Sequence, residues 1–440
     1  MKNNTIKLIL ATLFSFSLAN LALAQQTPKK SQLKVYQFIN GNWFEGEKFR
    51  SQTFYSVNGF LTKKRPKHVD QLINLKNGFV IPPLADAHCH HFDGPYNVAQ
   101  QVEMYLKAGV FYAKVQTDVR TGALAVADKV NKPTSVDVSY AHGALTHSYG
   151  HGIEIYEALA LGFYGDLEKY KQNTAKIAAS RLRDNDAYYI VDTPADLDAK
   201  WSKILDGKPD FLKIYLLTSE DFEQKQKKIP DIQLGSIGLD PRLVPEIVRR
   251  AHAANLRVSA HVDTMTDYRI ALNAGVDEMA HLPGYYVPAD ERGEKYSLNV
   301  IDAQNTARRN VWVVPAPIHN QYLTTAESTA RNRVLTNNLN LLKKHRAKIA
   351  FGSDRYGSTP VDDVMDIKNL GVFSNLELIK IWCEDTPQTI FPTRKIGKLQ
   401  NGYEASFIVV DQNPLEDFAA IKNINFRFKQ GFIVDLPTNK

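Results

Sequence analysis

Apolar and polar positions follow two rhythms along this chain. Between residues 82 and 392, short apolar runs alternate with amphipathic stretches of helical period. The runs are VIPPLADAHCH, VFYAKVQTDV, TSVDVSYAHG, DFLKIYLL, RVSAHVD, EMAHLP, VWVVPAP and KIAFGSD, eight in all. A strand covered on both faces reads as a near-continuous apolar run, and helices between such strands imply parallel pairing. Leu243 to Leu256 places Val244, Ile247, Val248 and Ala251 on one helical face, and Ser374 with Glu377 forms a capping box opening a helix to Phe391. Eight units favour closure into an α/β (β/α)8 TIM barrel over an open doubly wound sheet. The longer stretches 144–192 and 318–347 break the rhythm and are expected as elaborated loops over the barrel mouth.

The two ends of the chain have a different pattern. KVYQFIN, a Gly41-Asn42 turn, TFYSVNG and QLINLKNGFVIPP mix aromatic and β-branched residues with Asn-Gly pairs, the signature of short antiparallel strands. The stretch from Gly397 to Phe432, with SFIVVD and NINFRFKQG, has the same character. A small β-sandwich domain built from both termini is therefore expected, from residues 25–81 and 393–440, beside a barrel over 82–392.

Residues 1–24 stand apart. Lys2 and Lys7 precede an apolar stretch from Leu8 to Leu23, and Ala22-Leu23-Ala24 has the small residues of a cleavage site. Ser15, Ser17 and Asn20 interrupt the run and leave it short of a spanning helix. The expectation is a signal peptide and an exported protein, periplasmic or secreted, soluble once the leader is removed. The net charge of +7 is spread along the chain in short clusters such as Lys63-Lys64-Arg65, which speaks for solubility and against a nucleic-acid partner. The only cysteines, Cys89 and Cys383, lie far apart, and a core of this size needs no staple, so both are read as buried thiols.

Chemistry concentrates at strand ends. In Asp86-Ala87-His88-Cys89-His90, alternation points His88 and His90 to one side and Cys89 to the other. Two imidazoles so placed can grip one divalent metal, and nitrogen donors suit Zn²⁺. Taken alone, such a pair is more often two histidines in a turn, and His91 falls off the alternation as a structural residue. Lys213, inside the apolar run DFLKIYLL, carries a desolvation cost of several kcal/mol if charged and unpaired. His261, His281 and Asp354 each close an apolar strand. Four such residues together with the His-x-His pair, at the ends where a barrel keeps its active site, are hard to explain by packing.

With these residues in place, the chain resembles the amidohydrolase superfamily of metal-dependent hydrolases from about residue 35 to 432. The resemblance rests on Asp-x-His-x-His at the end of a β-rich preface, ALNAGVDEMAH, Gly-Ser-Asp at the eighth strand and the closing IGKLQNGYEASFIVVD. The order His-x-His, Lys, His, His, Asp is similar to the two-metal branch, and the strands look most like imidazolonepropionase-like and prolidase-like members. The resemblance implies a first metal on His88, His90 and Asp354, a second on His261 and His281, and a carbamylated Lys213 bridging two Zn²⁺. It implies hydrolysis by a metal-bridged hydroxide, with Asp354 moving the proton. An amide bond of a small substrate, in a dipeptide or acyl-amino acid, is the expected target. A cyclic amidase, lactonase or deaminase on the same barrel, better suited to a single metal, is the alternative, and a non-catalytic exported binding protein is a third.

Near these ligands the loop Ala141 to Gly152 is rich in histidine. His151 is its first candidate for substrate contact, His147 the second, with Tyr149 between them; a polar loop with backbone-bonded histidines reads equally well. Arg355, directly after Asp354, can clamp a substrate carboxylate bidentately or form a structural ion pair. The expected partner is a small-molecule substrate, with no membrane span; a homo-oligomer is compatible with the pattern.

Overall fold

The computed structural model describes residues 33–95, 97–289 and 293–436; the leader expected at 1–24 lies outside them. Strands from both ends of the chain share one eight-stranded sheet. From one edge the order is Phe432–Ile433, Ile424–Lys429, Phe407–Val410, Phe79–Ile81, Tyr36–Phe44, Phe49–Val57 and Phe60–Thr62, with Gln71–Asn74 also paired to Tyr36–Phe44. Phe79–Ile81 is the seam, parallel to Tyr36–Phe44 and antiparallel to Phe407–Val410. Aromatic rings close it: Phe38 meets Phe407 and Phe428 edge-on, both with centroids 4.9 Å apart, a geometry that adds to simple area burial.

One local expectation fails here. Gly41-Asn42 is no turn; the strand Tyr36–Phe44 runs through it, with a register shift against its neighbour between Phe38 and Gly41. The glycine is needed for space, since a Cβ there would lie 2.7 Å from Leu75 Cδ1 and 2.9 Å from Trp43 Nε1. The turn falls instead at Asn58-Gly59, both at positive φ, as a tight hairpin requires.

The middle of the chain forms two parallel sheets. One holds Leu84–Cys89, Val110–Val115 and Asp137–Tyr140. The other runs Tyr188–Ile190, Ala144–Thr146, Leu212–Leu216, Val258–Val262, Glu278–Met279, Trp312–Val313 and Lys348–Ile349. Each of the eight apolar runs contributes a strand. The run TSVDVSYAHG supplies Asp137–Tyr140 and breaks before the next strand, because His142 and Gly143 turn the backbone to φ 52° and 98°. Backbone bonds tie the sheets together at two places: Ala87 N–H donates to Phe351 O at 2.8 Å, and Asp210 N–H to Tyr140 O at 2.9 Å.

The helix Val244–Ala253 buries Val244, Ile247, Val248 and Ala251, the face expected from its spacing. The capping box of Ser374 and Glu377 is present, but the helix it opens widens to a π turn over Ile381–Asp385 before Thr386–Ile390. Pro387 has no N–H to continue a regular ladder, and Thr386 Oγ1 donates to Ile381 O instead. The stretch 318–347 is no elaborated loop, since most of it is the 20-residue helix Thr325–Lys344. The stretch 144–192 carries the short helices Ile153–Ala160, Leu167–Gln172 and Thr174–Ala179 between two short strands. No helix among the described residues is long and apolar enough to cross a membrane. Cys89 and Cys383 are both free and buried.

Candidate metal centre

Strand alternation sets the floor of the site. His88 and His90 project to one side of the first parallel strand, while Cys89 turns away and its thiol meets Lys114 O at 3.5 Å. Asp354 follows Lys348–Ile349, the last strand of the two parallel sheets, and takes a left-handed backbone, φ 51°, unusual for a residue with a Cβ. Its Oδ1 lies 2.9 Å from His88 Nε2 and 3.0 Å from His90 Nε2. The donor atoms of these three residues all lie within 4.8 Å of one another.

Lys213 on Leu212–Leu216, His261 on Val258–Val262 and His281 just past Glu278–Met279 come from three adjacent strands and face the same space. The His261 and His281 ring centroids are 4.5 Å apart, those of His88 and His281 4.7 Å. The six residues singled out in the sequence thus line one cavity of about 420 Å³. His151 and Arg355 line it too. His147 and Tyr149 do not. His147 is held between Tyr149 N–H, which donates to its Nδ1 at 3.1 Å, and Asp192, and Tyr149 lines a separate groove. His142 is tied to Asp118 at 2.8 Å, and His91 Nε2 to Ser358 O at 2.9 Å.

The electrostatics suit cation binding. Burial pushes the His88 imidazole down to about 4 and His281 well below its ordinary value, so both stand as neutral donors. Burial opposes the Asp354 carboxylate, but His88 and His281 override it and hold its pKa well below the carboxylate range. The Lys213 amine is pushed down to about 7 by burial. His151 differs: burial works against its charge, but the Glu154 carboxylate at 2.7 Å wins and raises its pKa.

Two buried atoms decide whether a metal fits. Lys213 Nζ has no hydrogen-bond partner among the described residues, and His281 Nδ1 has none either and faces only the Asp354 carboxylate at 3.5 Å, a costly arrangement in a folded interior unless something else satisfies them. Neutral imidazoles, a carboxylate and an amine depressed towards its free base make a donor set for divalent ions. The supporting contacts orient the rings: His88 Nδ1 meets Ala280 O at 2.8 Å, and His90 Nδ1 meets Thr117 O at 3.3 Å, leaving Nε2 of each towards Asp354. Asp263 holds His261 Nε2 at 3.0 Å and accepts from the Tyr285 hydroxyl at 2.7 Å.

Tyrosines supply much of the rest of the wall: Tyr156, Tyr164, Tyr215, Tyr322 and Tyr356, with Ile155. Sequence reasoning did not pick them out. Tyr215 was within reach, because it lies two residues after Lys213 and shares its face of the strand; Tyr164 and Tyr322 sit on connections whose path no local pattern encodes.

A family model described as the amidohydrolase family matches residues 235–434. No curated protein matches the sequence. Among solved structures, the chain is similar to A. niger ochratoxinase, with a TM-score of 0.68 at 16% identity over 92% of this chain and 96% of that one. It is similar to a Xaa-Pro dipeptidase with bound methionine in its active site (TM-score 0.65, 15% identity, 91% and 99% covered). A third similar structure is molinate hydrolase (TM-score 0.67, 12% identity, 92% and 95% covered).

Proposed function

We propose, for a chain whose residues 235–434 match the amidohydrolase family, hydrolysis of an amide bond in a small dipeptide or acyl-amino acid. The carrying observation is that His88, His90, Lys213, His261, His281 and Asp354, spread across the chain, all line one cavity. The fold this reading needs is a closed (β/α)8 barrel with the site at its C-terminal mouth, with the sheet from both termini as a side domain. The backbone bonds Ala87 to Phe351 and Asp210 to Tyr140 support closure at both joins.

His88, His90 and Asp354 would hold one divalent ion, and His261 and His281 a second. Lys213 as its carbamate would lie between them: the free amine adds carbon dioxide and releases a proton, turning an orphaned base into a carboxylate. The chemistry that two Zn²⁺ held by these residues would supply is polarisation of the scissile carbonyl and acidification of water. The protein's own groups do the rest. Asp354, kept ionised, takes the proton of the attacking water and returns it to the leaving nitrogen. His151, its charge favoured by Glu154, donates towards the carbonyl oxygen as negative charge develops there. The tyrosine wall displaces water around the substrate.

The test is metal content together with turnover on a panel of dipeptides and N-acyl amino acids, scored by release of a new amino acid. Bound zinc and chelator-sensitive release are expected; release of ammonia alone would move the reading to a deaminase, and a metal-free, inactive protein would overturn it. The leader pattern at 1–24 supports export to the periplasm or medium. The expected mature protein begins at Gln25, which N-terminal sequencing checks.

A further inference from the structure

The connection 165–179 rests lightly on the rest of the protein. Its first helix, Leu167–Gln172, buries no residue, and its second, Thr174–Ala179, buries only Ile177. Beside it runs the groove that Tyr149 lines, about 870 Å³ in volume. Leu167, Tyr170 and Ala178 of the connection line this groove together with Ile232 and Leu234. Apolar walls held apart by open space leave burial unused, and closing the gap is favourable. A segment with so few buried contacts also moves at low cost.

Both ends of the segment are tied to one helix. At the near end Ala158 O accepts from Phe163 N–H at 2.8 Å and from Tyr164 N–H at 3.2 Å. At the far end the buried Glu157 carboxylate accepts from Leu182 N–H at 3.0 Å and from Arg183 N–H at 2.7 Å. That helix, Ile153–Ala160, also carries Ile155 and Tyr156 of the metal cavity. Gly165 lies between the near anchor and the segment's first helix. Its φ is 86°, and a Cβ there would meet nothing within 4 Å among the described residues, so the glycine serves backbone freedom and not space. Tyr164, directly before this hinge, lines the metal cavity while 46% exposed. Its ring lies 6.1 Å from that of Tyr356, which stacks on His90 at 5.2 Å.

We propose that 165–179 is a flap that closes on the groove once substrate is bound, turning about Gly165 and pressing Tyr164 over the metal cavity. Leu167 and Ala178 then meet Ile232 and Leu234, while the buried Ile177 stays in place as the support about which the flap turns. Closure keeps bulk water from the reacting amide, and reopening releases product, steps that limit turnover in many enzymes. The movement follows from packing; its effect on rate rests on the amide-hydrolase reading.

A disulfide staple tests the flap. Ala175 and Gln233 both line the groove and are both exposed, so Ala175→Cys combined with Gln233→Cys leaves the core untouched. Cys89 and Cys383 are buried and stay out of the reaction. Under mild oxidant the introduced pair is expected to link, since closure brings the two into the short range a disulfide needs. With the link made, kcat/KM on the dipeptide and N-acyl amino acid panel should fall at least about tenfold, and a chelator should strip zinc more slowly. Reduction should reverse both. Ala175→Trp, a wedge in the groove, is expected to lower kcat by about tenfold, whereas Gln172→Trp, on the same segment but off the groove, leaves the rate unchanged. No link under oxidant, a link with unchanged rate and zinc loss, or a wedge without effect overturns the flap. A link that slows zinc loss in a protein that hydrolyses no amide leaves the flap standing and removes the hydrolase reading.

Discussion

Asp354 is joined to His88 twice, through its backbone N–H, which donates to His88 O at 2.7 Å, and through Oδ1, 2.9 Å from His88 Nε2. The first and last parallel strands therefore meet at two residues that the proposed chemistry also needs. Any shift of one strand against the other moves both donors of the site.

Gly352 tests this coupling. A Cβ there would lie 2.6 Å from His88 N and 2.7 Å from His88 Cβ. Gly352→Ala is expected to fold, displace His88 and lower kcat/KM by about 10²-fold, the scale of a misplacement near 1 Å. Metal affinity should fall with it; an alanine variant with unchanged zinc content and rate would show that the strand absorbs the methyl group elsewhere.

Removing the proton carrier separates metal binding from proton transfer. Asp354→Asn keeps the shape and loses the charge, and kcat is expected to drop by about 10²–10⁴-fold. Steady-state kinetics with parallel metal analysis reads both effects, and a rate loss smaller than tenfold would assign the proton to another group.

Lys213 sets stability against function. Its amine is buried and unpartnered, so Lys213→Met is expected to stabilise the metal-free protein by about 1–3 kcal/mol in denaturant unfolding. The same variant should lose activity and zinc. For Lys213→Ala, short carboxylic acids are expected to restore part of the turnover by standing in for the carbamate. Full activity in either variant would remove the bridging role.

The acid side of the stability curve belongs in part to Glu278. Burial opposes its carboxylate, but Lys114 at 2.8 Å overrides it, and Gln116, Ser259 and Thr389 donate as well, so its pKa is held at about 2 instead of 4.5. A depressed carboxylate contributes stability above its unfolded pKa and loses it as pH falls towards the folded value. Unfolding free energy should therefore decline between about pH 4.5 and 2. Glu278→Gln is expected to flatten that decline and to cost about 3–5 kcal/mol at neutral pH by stranding Lys114. Equal slopes for both proteins would place the acid loss elsewhere.

Eight of the ten strands in the two parallel sheets were legible because each wrote itself as an apolar run, whereas Ala144–Thr146 and Tyr188–Ile190 fall in a stretch read as loop. The site was legible because polar residues such as Lys213 and His281 broke those runs. The helix Thr325–Lys344 was not. Its buried stripe of Ala330, Val334, Leu335, Leu339 and Leu342 is interrupted by Arg331 and Asn338, both buried and paired to backbone carbonyls. Polar residues recruited inward erase the periodicity that a helix normally shows. His147 stood second to His151 as a candidate for substrate contact because both lie in the histidine-rich loop 141–152. The turn that points one inward and ties the other to Asp192 depends on contacts more than forty residues away.

The seam at Phe79–Ile81 has a consequence for biogenesis. Until Phe407–Val410 has been made, that strand presents an open edge three residues before the strand carrying His88, and exposed edges invite pairing with other chains. The strand that covers this edge is made more than three hundred residues later, so a chain cut short before Phe407 is expected to leave it bare.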